Sequence, residues 1–95
     1  MSTNQQVERV RSLLQEARSG VHAELAKCEA GQPAIDIERN LRWIASSLDE
    51  MIAALDRSER QPVPGLWHVV SDTWPHDDPL GSKIIDAEYS YERLR

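Results

Sequence analysis

The chain has 95 residues, 16 of them acidic and 11 basic, with a formal net charge of −5; this leaves room for one domain and excludes a multi-domain enzyme. The negative balance repels phosphate backbones and anionic lipid surfaces over roughly a Debye length, which disfavours direct nucleic-acid or membrane-surface binding and favours a basic partner. A hydrophobic fraction of 40% with 28% charged residues describes a folded chain rather than a disordered one.

Residues Met1 to Gln6 are polar and lack the basic start and apolar core of a secretion signal, and no run approaches the ~20 apolar residues that span a bilayer. Cys28 is the single cysteine, so neither an intramolecular disulfide nor a multi-cysteine metal knuckle can form. These features predict a cytoplasmic protein.

The first helix is expected over about 4–30, with Thr3 or Asn4 as N-cap and Gly31 as a left-handed stop followed by Pro33. Val7, Val10, Leu14, Ala17, Val21 and Cys28 follow seven-residue spacing. Two positions break the pattern. Gly20 weakens the helix interior, and Glu24 falls where an apolar residue is due, so the stripe is expected to slip locally to Leu25.

A second helix is expected over about 34–58, with Asp36 and Glu38 near its positive end and Glu38 paired with Arg42 one turn on. Its stripe is Ile37, Leu41, Ile44, Leu48, Met51 and Leu55. Folding the chain at Gly31 to Pro33 sets Cys28 opposite Ile37, Val21 opposite Ile44, Ala17 opposite Leu48, Leu14 opposite Met51 and Val10 opposite Leu55. Two repeats placed at random agree in phase in only about one arrangement of seven, so the matched register predicts an antiparallel helical hairpin. Trp43, Ser47 and Ala54 lie on another side of this helix and predict a second contact surface.

Residues 59–65 carry two prolines and a glycine and form a linker. Beyond it, Trp67, Val70 and Trp74 recur at helical spacing, which predicts a short helix ended by Pro75. Asp78-Pro79 opens a final helix over about 79–94, with Asp78 as N-cap and Leu80, Ile84, Ala87, Tyr91 and Leu94 as its stripe. The fold class is therefore all-α: a long hairpin plus a short tryptophan helix and a C-terminal helix, in a three-helix or oligomeric bundle. A lone hairpin leaves apolar surface in water. Either the segment 66–95 folds back beside Ala17, Gly20, Ala45 and Ser47, or two hairpins pair, which makes a homo-oligomer an expected state.

No nucleophile elbow, phosphate-binding loop or cofactor motif occurs, so the chain is not expected to be an enzyme or to bind a cofactor. His22 reads as a surface residue and Cys28 as a packing residue. The leading expectation is a non-enzymatic module of adaptor, co-chaperone, immunity or inhibitor type that binds a partner protein. Its candidate surface comprises Trp67, Asp72, Trp74, His76, Asp77, Asp78 and Tyr89: aromatic side chains able to anchor an interface, with acids beside them. With no Phe in the chain, Trp67 and Trp74 are also the natural core fillers, whereas Tyr89 lies off its stripe. Two alternatives compete. A metal-binding enzyme or sensor would use His68, Asp72 and His76, the first two one helical turn apart; a purely structural homo-oligomer would have itself as partner.

Overall fold

In the computed structural model, residues 2–59 and 61–94 are described, with side chains from Gln5 onward. Among them are four α-helices and no strand: α1 (Ser2–Glu29), α2 (Glu38–Asp56), α3 (Leu66–Thr73) and α4 (Pro79–Arg93). The protein is all-α. At about 1.5 Å per residue, the 28 residues of α1 set the longest dimension of 45 Å.

The hairpin is antiparallel. Arg11 donates to Asp56 at 2.7 Å and Arg18 pairs with Asp49, so the start of α1 lies beside the end of α2. Both members of four expected seam pairs are buried: Val21 and Ile44, Ala17 and Leu48, Leu14 and Met51, Val10 and Leu55. The fifth pair is a correction. Ile37 is 56% exposed because it is the N-cap residue of α2 in extended geometry, and the helix begins only after it. Cys28 stays half-buried against the core, its sulfur 4.0 Å from the Asp36 carbonyl.

Both ends of the hairpin loop are explained by local chemistry. Gly31 has φ 73°; its amide donates to the Cys28 carbonyl and that of Gln32 to Lys27, a Schellman stop requiring the left-handed region that glycine enters freely. From Pro33 to Asp36 the chain is not helical, so α2 starts later than expected. Asp36 Oδ1 accepts from the Ile37 amide and from Asn40. Leu25 is buried, as the slipped stripe requires. Glu24, the residue it displaces, turns toward the loop and accepts from the Ile35 amide at 2.9 Å and from Lys27 at 2.8 Å. The α1 backbone is already helical at Ser2, and the expected caps at Thr3 and Asn4 concern side chains outside those described.

The third layer comes from the same chain. α1 packs against both α2 and α4, and α3 packs against α4. The start of α4 reaches α1 at Gly20, where a Cβ would run into Leu80, while its end lies with Gln6, Arg9 and Val10 around a shared groove. α4 therefore runs antiparallel to α1. Ala17, Ala45 and Ser47 are buried, in keeping with the expected close approach at small side chains. Ser47 and Ala54 form the second buried side of α2, but Trp43 stays 42% exposed. α3 is antiparallel to α4 in turn, since its first amides meet Glu88 and its end, Val70 and Trp74, meets Gly81. The path is up, down, up, down, with the third helix cut to eight residues.

The tryptophan helix presents a different face from the one expected. Leu66, Val70 and Trp74 point inward and Trp67 points out, so four-residue steps replace the three-plus-four reading. Either set fits one face of a short helix; the anchoring of the first α3 amides on α4 selects Leu66.

Two predictions follow from the helix ends. α2 closes with a second Schellman stop, the Ser58 amide donating to Leu55 and that of Glu59 to Ala54, but with a non-glycine residue at φ 56°. A left-handed residue with a Cβ costs on the order of 1 kcal/mol, so Ser58→Gly should raise stability by about 0.5 to 1 kcal/mol, seen as a higher urea midpoint at unchanged slope. The Lys27 ammonium and then the Ile35 amide hold the Glu24 carboxyl below the ordinary glutamate range, against partial burial. Its ionised form therefore stabilises the fold at neutral pH, and the contribution disappears as pH falls through the carboxylate range. Glu24→Gln should be less stable than wild type by about 0.5 to 1 kcal/mol at pH 7, with the two denaturation curves converging in acid.

Candidate functional site

The seam between α3 and α4 brings together Trp67 and Tyr89, with His76 and Asp78 further along it, from among the residues singled out from the sequence. At its centre is Glu88, a charged side chain only 2% exposed. Its Oε2 accepts from the amides of Gly65 at 2.9 Å and Leu66 at 2.8 Å, and its Oε1 from that of Trp67 at 3.1 Å. These are the otherwise unpaired amides at the start of α3, whose own N-cap residue, Gly65, has no side chain to offer. The carboxylate thus caps the helix from a neighbouring one and faces the positive end of its dipole.

This cap sets α3 against α4 so that a cleft of about 250 Å³ opens outside it, lined by Trp67, Ser71, Ile85, Glu88, Tyr89 and Glu92. Trp67 is 47% and Tyr89 56% exposed, and both border this space. The Trp67 ring stacks on that of His68, with centroids 3.6 Å apart. On Tyr89 lies Arg93, its guanidinium carbon 5.3 Å from the ring centroid and its Nη1 donating to the phenol oxygen at 3.3 Å. Further along the seam a smaller hollow of about 50 Å³ is bordered by His76, Asp78 and Gly81. Ser71 and Ile85 line both spaces, joining them into one surface.

Of the residues singled out from the sequence, Trp67 and Tyr89 come together at the cleft, while His76 and Asp78 border the adjoining hollow. Asp72 and Asp77 are exposed and line neither. Asp78 serves the fold first, as N-cap of α4 accepting from the Gly81 amide at 2.9 Å. Trp74 is a correction. It is 3% exposed, and its indole N–H donates to Asp36 Oδ2 at 2.9 Å, so it ties the end of α3 to the hairpin loop and offers no ring to a partner.

The cation set proposed from His68, Asp72 and His76 is also not assembled. Among the described residues no three His, Cys, Asp or Glu side chains lie together in a way that could hold a metal ion. α3 ends at Thr73, and the chain turns through Pro75 before His76, so His76 leaves the helix that carries the other two.

Ser71, Ile85, Glu88 and Glu92 are site residues that periodicity alone did not single out. Glu88 carried a signal: with Ile84 and Tyr91 it fits the same four-and-three spacing as Ala87, so a charge sits in a position compatible with the buried stripe. No described helix is long and apolar enough to cross a membrane. No protein-family model, curated protein or solved structure matches the chain.

The cap yields its own test. Glu88→Ala leaves three amides without their acceptor and should cost about 3 kcal/mol, with hydrogen-exchange protection lost first at Gly65, Leu66 and Trp67. Glu88→Gln keeps one acceptor oxygen and should fall between the alanine variant and wild type.

Proposed function

We propose that this protein is a non-enzymatic interaction module of the cytoplasm, of adaptor, co-chaperone, immunity or inhibitor type, which binds a partner protein of basic surface through the α3–α4 seam. The observation that carries the reading is the pairing of Trp67 and Tyr89, two large half-exposed aromatics from different helices on one cleft. Large aromatic side chains beside a recess are the usual anchors of protein interfaces, and they contribute most where a partner desolvates them. A net charge of −5 favours a basic partner and speeds its approach. The lone Cys28, half-buried, suits a reducing compartment.

Self-association as a homo-oligomer through the Trp67 and Tyr89 face is the competing reading. One experiment separates the two. A photo-crosslinking side chain placed at Ser71, in cells that make the protein, should trap a distinct partner, and Trp67→Ala and Tyr89→Ala should each reduce that product at least tenfold at unchanged helical content. Trapping only a second copy, with a monomer–dimer equilibrium in sedimentation, supports the homo-oligomer instead. Equal trapping by the alanine variants removes the seam as the binding face.

A further inference from the structure

We infer that the Trp67–Tyr89 cleft is a receptor for a single arginine side chain presented by the partner. This deepens the partner-binding reading and rests on it.

Size is the first argument. Sites for drug-sized ligands run from about 300 to 1,000 Å³, and a cleft of about 250 Å³ lies below that range. It matches one long side chain better than a free metabolite. The lining is the second argument. Trp67 and Tyr89 supply aromatic faces, Ile85 an apolar surface for a methylene stem, and Ser71 a hydroxyl. Among the described residues, the charged groups that line the cleft itself are the carboxylates of Glu88 and Glu92, with the Arg93 guanidinium beside it on Tyr89. Glu88 is spent on the α3 amides, whereas Glu92 is exposed and enters no side-chain hydrogen bond or ion pair among the described residues.

An aromatic pair with a free carboxylate attracts a cation by ring quadrupole and by charge. Between the two common cations, the planar guanidinium stacks on rings and forks onto a carboxylate, while an ammonium is a compact and more strongly hydrated point charge. Tyr89 already carries one guanidinium, that of Arg93 at 5.3 Å, so the ring left for an incoming cation to stack on is chiefly that of Trp67. An incoming arginine would lay its stem along Ile85, set its guanidinium against Trp67 at the edge of Tyr89, and donate to Glu92.

The test uses the whole protein and a minimal probe, N-acetyl-arginine-N-methylamide, followed by NMR. The three tryptophans provide three indole N–H signals with distinct roles. Saturable shifts are expected at Trp67 and at the Tyr89 ring. Trp74, held by Asp36, and Trp43, away on α2, should not move. The citrulline analogue, equal in shape and uncharged, should bind at least tenfold more weakly, and the lysine analogue more weakly than arginine. Glu92→Gln should lower arginine affinity about fivefold while leaving the backbone amide spectrum in place, so that loss of binding is not loss of fold.

Equal response to citrulline, or no saturable response at Trp67, overturns the inference. Failure here and failure of the broader reading look different. If the Ser71 crosslink to a distinct partner survives Glu92→Gln but not Trp67→Ala, the seam is the binding face and its occupant is apolar. If no partner is trapped, the interaction reading itself falls.

Discussion

The whole α3–α4 seam depends on one carboxylate placed at the start of a helix to which it does not belong. An eight-residue helix is too short to hold itself together in water, because nucleation costs more than two turns of hydrogen bonds return. Glu88 satisfies three of the amides that such a helix leaves open, and it does so from α4, so closing the cap and docking α3 are the same event. Burying a carboxylate without a cation is ordinarily costly. Here the first turn of α3 supplies the compensation, through charge-assisted hydrogen bonds and the positive end of the helix dipole.

The other ties share this logic. The Tyr91 hydroxyl accepts from the Gln61 amide in the linker, and Asp36 accepts from Trp74 at the far end of α3. Three polar anchors therefore hold the chain before, at the start of, and just after α3, and Leu66, Val70 and Trp74 bury the face between them. The anchors set direction and register; the apolar side chains supply most of the free energy, at about 2 to 3 kcal/mol each when fully buried. Such a division lets a short segment act as the third layer that the long hairpin requires. α4 covers α1 at Gly20, α3 is strapped to α4, and the stripes that would otherwise call for a second copy are closed within one chain.

How far the sequence revealed this depends on the range of each interaction. The hairpin was legible because its information is local and repeated: two seven-residue patterns in matched register and a glycine stop between them. The Asp78-Pro79 start of α4 was legible for the same reason, since cap and helix are adjacent in the chain. Where a residue's role is set by a distant partner, periodicity misassigned it. Ile37 fits the stripe but stands at the helix cap. Trp67 fits the α3 face as well as Leu66 does, and Glu88, 22 residues further along than Leu66, decides between them. Glu24 read as a flaw in a repeat, yet it fastens the loop that the repeat cannot see. Trp74 is a mixed case: its spacing placed it on the buried face, where its ring completes the core, but its N–H bond to Asp36 in the hairpin loop is a distant partnership that spacing does not show.

The exposed aromatics gain meaning from that same competition. Single apolar side chains at a surface are common, and Trp43 on α2 is an instance that needs no partner to explain it. Trp67 differs in its surroundings. The chain has only three tryptophans and no phenylalanine, so aromatic surface is scarce, and the α3 cap places Leu66 rather than Trp67 in the core. The displaced indole does not stand alone; it borders a recess whose other side is Tyr89, from a different helix. Forming that recess requires α3 and α4 to be held at fixed separation, which is what the buried Glu88 carboxylate does. The same residue that removes an uncapped helix end from water also creates the concave aromatic surface. On the proposed reading, stability and recognition are coupled through one side chain, and a partner that filled the cleft would bind best to the form in which that cap is closed.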